Sequence, residues 1–159
     1  MTKREEKRNL ESIPVGSLGV IALEGCKTLG EKVDYYLVKW RTERESEHKD
    51  SLAFAGYQRS SYLLDSKVPR FGSGEAKGMI KESVRGDDLF IMVDVCNYSI
   101  TYTLCGHVNR MSPDDHYQNL KRIISAVGGK ARRITVIMPF LYESRQHKRT
   151  SRESLDCAI

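Results

Sequence analysis

Three short apolar runs punctuate the chain: residues 18–23 (LGVIAL), 88–95 (DLFIMVDV) and 133–138 (RITVIM). β-Branched runs of this length, bounded by turn residues, predict strands buried on both faces. After the first run, Leu29, Val33, Leu37 and Trp40 recur at three- and four-residue spacing and predict an amphipathic helix. Before the third, Ser112 reads as an N-cap, Pro113 as the first helical residue and Asp115 as the partner that closes a capping box. The predicted core stripe of this helix is Tyr117, Leu120, Ile123, Ile124 and Val127, and Gly128-Gly129 ends it. Residues 68–71 and 76–81 flank Gly72-Ser73-Gly74 and predict a hairpin. A last helix is predicted from Thr150, with Glu153 three residues on and Leu155, Ala158 and Ile159 at helical spacing. Strand, helix, hairpin, strand, helix, strand, helix predicts an α/β domain with a mainly parallel sheet. Residues 1–14 read as a flexible charged lead-in, and 41–67 and 96–111 as insertions into a domain spanning 15–159.

Composition narrows the class without choosing a function. A chain of 159 residues with 40% hydrophobic content and 4 prolines is one globular domain. No apolar stretch reaches the roughly 20 residues of a membrane span, and the charged N-terminus lacks the apolar core of a signal peptide. The expectation is a cytoplasmic protein that does not enter a membrane. The net charge of +5 points to an anionic partner, but 21 acidic residues lie among the 26 basic ones, which disfavours a general nucleic-acid surface. Cys26, Cys96, Cys105 and Cys157 are scattered without a C-x-x-C pair, so free thiols are expected, with Cys26 and Cys96 packed after apolar strands. A metal set of Cys96, Cys105, His107 and His116 lacks the paired spacing such sites use, and no metal ligand is expected in this chain.

Two segments carry chemistry. After the run 133–138 the chain turns at Pro139 into a polar loop holding Arg145, Gln146, Lys148, Arg149 and Arg152. Arg offers a planar fork for two phosphate oxygens and Lys a mobile point charge. Open α/β sheets bind ligands outside the carboxyl ends of their strands, where this loop begins. Taken without that position, the loop is a solvated basic surface. In the hairpin 70–85 (RFGSGEAKGMIKESVR), the glycines permit a tight turn with Phe71 and Glu75 on either side. The ring can stack on a base and the carboxylate can accept an exocyclic amine; equally, Phe71 can pack in the core and leave Glu75 solvated. The spacing of a P-loop is absent.

Together, FGSGEAKGMIKESVRGDDLFIM and RITVIMPFLYESRQHKRTSRE resemble two motifs of the ribose-phosphate pyrophosphokinases, or phosphoribosyl pyrophosphate synthetases, in the family's own order and separation. The resemblance covers 71–159 well and extends to the first strand and helix. It implies a phosphoribosyltransferase-like three-layer α/β domain, with a mainly parallel sheet, helices on both faces and a small protruding hairpin. It also implies transfer of diphosphate from ATP to ribose 5-phosphate with Mg2+, giving phosphoribosyl pyrophosphate and AMP in the full-length parent. Phe71, Ser73 and Glu75 match the turn that holds adenine, which in the family faces the ATP site of a neighbouring subunit of a homo-oligomer. Arg145 and Gln146 match the pair that contacts ATP, and Lys148, Arg149 and Arg152 fall in the flexible catalytic loop.

Several positions depart from the family pattern. Ser73 replaces the usual Asp or Asn, His147 stands where Asp usually follows Arg-Gln, and Asp114, Asp115 and His116 replace an Asn-Asp-Asn run. The family's metal, pyrophosphate and ribose-phosphate motifs are not found in these residues, so the chain is expected to be an N-terminal domain, without the C-terminal one and inactive alone. The alternative is a non-catalytic, synthetase-associated regulatory protein of the same fold.

Overall fold

The computed structural model describes residues 14–46 and 58–156. The predicted lead-in, all but its last residue, and part of the predicted insertion 41–67 lie outside the described residues. Strands β1 (Leu18–Ala22), β4 (Asp88–Met92) and β7 (Arg133–Ile137) form a parallel sheet in the order β1-β4-β7, each at one of the predicted apolar runs. Residues 61–65 extend this sheet on the far side of β1. There the Val20 N–H donates to the Tyr62 carbonyl at 2.8 Å, and the Leu64 N–H to the Val20 carbonyl at 2.8 Å. The carboxylate of Asp34 fastens the same segment by accepting from the Tyr62 N–H at 2.6 Å and the Ser61 hydroxyl at 2.8 Å.

Side chains alternate across this sheet, so each face carries its own core. Val20, Ala22, Cys26, Tyr62 and Met92 pack with Val33, Leu37 and Val38 of α1 (Lys27–Ser46). Ile21, Leu89, Ile91 and Val93 pack on the other face with Leu120, Ile123 and Val127 of α2 (Pro113–Val127). Helices therefore cover both faces, as a three-layer α/β domain requires. The predicted stripe of α1 holds only at its middle: Leu29 is 46% exposed and Trp40 57%, while Gly30 is buried against the strand. A β-carbon at Gly30 would stand 2.5 Å from that of Ala22, so only glycine allows α1 this close. The strand expected to be buried on both faces, β7, is the sheet edge among the described residues, and its Val136 and Ile137 are exposed.

The Ser112 capping box forms as predicted. Its hydroxyl accepts from the Asp115 N–H at 3.1 Å, and the Asp115 carboxylate accepts from the Ser112 N–H at 3.0 Å. Gly128, at φ 59, ends the helix. The predicted hairpin forms around its turn, with a bridge between Arg70 and Ala76, but its first paired strand, β2 (Ser66–Lys67) against β3 (Met79–Ile80), lies before the predicted arm 68–71, in the segment read as an insertion. Its return arm passes so close to α2 that a β-carbon at Gly78 would stand 2.4 Å from the Arg122 carbonyl oxygen. Residues 96–111, unassigned in detail from sequence, contain a second antiparallel hairpin, β5 (Thr101–Leu104) with β6 (His107–Arg110). Cys105 and Gly106 make its turn at φ 50 and φ 79, the left-handed values of a two-residue hairpin connection. The last predicted helix is not formed as far as Leu155, although Glu153 accepts from the Thr150 N–H at 3.0 Å; residues 157–159 lie outside the described residues. Among the described residues no helix is long and apolar enough to cross a membrane.

Two stability predictions follow from these contacts. Gly78→Ala forces backbone apart at the hairpin–α2 contact and is expected to cost about 1–3 kcal/mol, read as a lower denaturant midpoint. An unchanged midpoint would contradict the contact. For Asp115, burial pushes the carboxyl up, but hydrogen bonds from Ser112 and the Arg70 charge outweigh it and hold it below the ordinary carboxylate range. A depressed folded pKa gives stabilisation that is fully present above the unfolded value of about 4 and is lost as pH falls through the folded value. Asp115→Asn is therefore expected to destabilise by about 1 kcal/mol at pH 7 and by less at pH 3 in paired thermal melts. Equal losses at both pH values would contradict this.

Candidate functional site

The carboxyl ends of β1, β4 and β7 carry the features that the sequence singled out. Leu23 continues β1 into a 3-10 turn, Glu24–Cys26, that leads into α1. A cleft of about 210 Å3 opens there, lined by Leu23, Lys27, Lys67 and Arg70 and by Tyr102 of the β5–β6 hairpin. The opposite ends of the strands hold structural ion pairs. Asp88 and Arg133, paired in register on β4 and β7, make a two-pronged contact at 2.7 and 2.5 Å. The adjoining Asp87 is buried and 3.4 Å from Arg59; burial raises its carboxyl above the ordinary range despite that cation. A perturbed acid often marks a functional site, but this one lies at the amino ends of the strands, where it braces the fold.

In the first hairpin, the Phe71 N–H donates to the Glu75 carbonyl at 2.7 Å and the Gly74 N–H to the Phe71 carbonyl at 2.9 Å. Gly74 takes φ 92, the positive-φ step of a three-residue hairpin loop. This geometry turns Phe71 outward. It is 52% exposed, so the reading in which Phe71 packs in the core does not hold. Ser73 donates to the Glu75 carboxylate at 3.1 Å, which orients the acid beside the exposed ring. A flat apolar face and a fixed acceptor on one solvent-facing turn suit a planar heterocycle that carries an amine.

The basic loop is organised differently. Glu143, at φ 64, accepts from the Gln146 N–H at 2.9 Å through its carbonyl, and its carboxylate takes the Gln146 side-chain amide. Ser154 donates to the Gln146 side-chain oxygen at 2.6 Å, so Gln146 is held from both ends. Arg145, Lys148, Arg149 and Arg152 are exposed, and among the described residues none forms a salt bridge. Four cations within eight residues repel one another, and a polyanion relieves that repulsion.

Hydrogen bonds and ion pairs do not join the turn 71–75 to the loop 142–152 among the described residues. Both are tied instead to the first turn of α2. Arg70 lies 3.2 Å from Asp115, and the Tyr142 hydroxyl donates to Asp114, which raises the phenol above its ordinary range. His116 is buried beside them with its Nε2 2.8 Å from the Asn97 carbonyl. Sequence reasoning found the residues on the two segments but missed these anchors, since nothing local marks Arg70 or Tyr142 as partners of residues more than 25 positions away.

Burial and then the Asp94 carboxylate push the Cys26 thiol up, while Cys96, expected to pack, is exposed. Among the described residues no three His, Cys, Asp or Glu side chains come together to hold a metal, and the imagined set of Cys96, Cys105, His107 and His116 is not assembled.

Comparison with known proteins bears on both the fold and the motifs. Residues 18–159 match the family model described as the N-terminal domain of ribose phosphate pyrophosphokinase. Ribose-phosphate pyrophosphokinase 1 of Schizosaccharomyces pombe is 35% identical over 85 residues, 53% of this chain and 17% of that protein. Ribose-phosphate pyrophosphokinase of Maricaulis maris is 33% identical over 89 residues, 55% of this chain and 24% of that protein. The matched stretches thus span a quarter or less of these relatives. The crystal structure of phosphoribosylpyrophosphate synthetase from Mycobacterium smegmatis superposes with a TM-score of 0.52 at 21% identity, covering 88% of this chain and 36% of that one, which supports the α/β fold. By fold, by motif order and by the extent of the family match, the chain belongs to the N-terminal domain family of the ribose-phosphate pyrophosphokinases.

Proposed function

We propose that this domain supplies the ATP-binding elements of a ribose-phosphate pyrophosphokinase acting on ribose 5-phosphate. The observation that carries this reading is the pairing of an outward-facing aromatic and acid on the turn 71–75 with a loop of unneutralised cations at the carboxyl end of β7. In the reaction, the anomeric hydroxyl of ribose 5-phosphate attacks the β-phosphorus of ATP. The bond from that phosphorus to the α,β-bridging oxygen breaks, AMP leaves with the oxygen, and the hydroxyl gives up its proton. Phosphoryl chemistry of this kind asks the protein chiefly for positioning and for charge that meets the developing anion. Phe71 stacks on adenine, Glu75 accepts from its exocyclic amine, and Ser73 orients Glu75. Arg145 forks onto phosphate oxygens beside the fixed amide of Gln146. Lys148, Arg149 and Arg152 neutralise the diphosphate in flight. Mg2+ enters as the counter-ion of the ATP substrate.

Within one chain no hydrogen bond or ion pair joins the turn to the loop among the described residues, which leaves room for a homo-oligomer in which each site takes its turn from one copy and its loop from another. The ribose-phosphate motifs that the family resemblance implies are not found in this sequence, so the 159-residue chain is expected to bind ATP without turning it over.

Arg145→Ala in the full-length parent is expected to lower kcat/KM for ATP by about 10²–10³-fold, or roughly 3–4 kcal/mol of lost transition-state stabilisation, in a coupled assay for AMP. Activity within twofold of the parent would overturn the assignment of the basic loop. A parent that binds ATP yet releases no AMP would support the regulatory alternative, which the exchange of the usual Asp for His147 favours.

A further inference from the structure

The turn 71–75 is poorly equipped to hold its own shape. Its stem is a short two-stranded ribbon: Ser66 pairs with Ile80, Lys67 with Met79 and Arg70 with Ala76, and backbone hydrogen bonds from Lys81 to Asp65, Lys77 to Pro69 and Phe71 to Glu75 close the rest. Two-stranded ribbons of this length are marginal alone, and two glycines in the loop add backbone freedom. A turn meant to present an aromatic ring and an acid at fixed positions therefore needs support from outside.

That support comes from the β5–β6 hairpin, to which the family resemblance assigns no role. Along β5, Thr101 and Thr103 are exposed while Tyr102 and Leu104 are half-buried, so the alternation turns Tyr102 and Leu104 inward. The Arg70 guanidinium lies 3.9 Å over the Tyr102 ring. Its side chain is 12% exposed, and it also donates to the Gly74 carbonyl at 3.0 Å while standing 3.2 Å from Asp115. Leu104 lies against Gly74, where a β-carbon would stand 3.6 Å from its methyl, and the Cys105 thiol faces the Gly72 carbonyl at 3.8 Å. One guanidinium thus links the turn to two elements, and a second row of contacts holds the turn's tip. Guanidinium suits this task because its flat face stacks on the ring while its edge donates to the carbonyl and the carboxylate.

We propose that the β5–β6 hairpin is a positioning element of the nucleotide site, in which Tyr102 and Asp115 clamp Arg70 and thereby fix the turn that presents Phe71 and Glu75. The inference rests on the nucleotide reading of that turn, and its test separates the two. In the full-length parent, Tyr102→Leu keeps apolar bulk and removes the stacking face. It is expected to raise KM for ATP by about tenfold through misplaced contacts, with KM for ribose 5-phosphate unchanged. Hydrogen exchange of the amides in 71–75 should quicken while that in 117–127 stays as it was, and Tyr102→Phe should behave as the parent. Arg70→Lys, which keeps the charge but not the fork, provides an independent second variant with the same expected signature. Unchanged exchange at 71–75, with Phe71→Ala still raising KM for ATP, would overturn the clamp and leave the nucleotide reading standing. Faster exchange with an unchanged KM for ATP would overturn the nucleotide reading of the turn and the proposal with it.

Discussion

The first turn of α2 is the point on which the upper half of this domain depends. The exposed N–H groups at a helix start favour negative charge, and here they are answered by consecutive acids. Asp115 closes the cap on Ser112 and reaches Arg70; Asp114 takes the Tyr142 hydroxyl; the next residue, His116, meets the Asn97 carbonyl. Three adjacent side chains therefore fasten the stem of one hairpin, the start of the basic loop and the lead-in to the β5–β6 hairpin. The cap makes this possible because it fixes the backbone from which all three project. A helix that frayed at this end would release every segment to which we assign contact with ATP.

The two ends of the sheet divide the work. At the amino ends of β4 and β7, Asp88 and Arg133 satisfy each other in register, and the buried Asp87 is balanced by Arg59. Charges there are spent on one another. At the carboxyl ends, Arg145, Lys148, Arg149 and Arg152 stay exposed and unpaired among the described residues. Glu143 and Ser154 are used on the neutral Gln146 instead. Interactions that could have quieted the cationic loop are thus directed elsewhere, and the loop keeps its appetite for an anion. Electrostatic sites commonly give up local stability in this way to be ready for a ligand.

What could be read from the sequence was what local chemistry dictates. The three apolar runs, the Ser112-Pro113-Asp115 start, the Gly128 stop and the 72–74 turn each carry their cause within a few residues, and each appears in the fold. In α1 the face turned to the sheet runs through Gly30, Val33, Leu37 and Val38, and Leu29 and Trp40 lie off it, because apolar spacing alone does not say which side of the helix meets the sheet. The exposure of β7 follows from its place at the sheet edge, which no pattern within the strand encodes. The β5–β6 hairpin carries only a weak local signal, an alternating run broken by Cys105-Gly106, masked by the mixture of polar and apolar residues on a ribbon with one inward face. Nothing local marks Arg70, because its importance lies wholly in tertiary partners. The site residues were legible as types, as an aromatic and an acid on a turn and as a cluster of cations after a strand. Their anchoring was not.

The central claim is that the turn 71–75 of one copy and the basic loop of another build a single ATP site. Its most direct test is complementation between two defective full-length parents, one carrying Phe71→Ala and the other Arg145→Ala, co-expressed and assayed for AMP release. If the claim holds, each variant is impaired alone. Their mixture then regains activity toward about a quarter of the parent's, since random assortment in a homo-oligomer pairs an intact turn with an intact loop at one site in four. Mixed oligomers that form but show no more activity than the variants apart would contradict it, placing turn and loop in the same chain's site or in no common site.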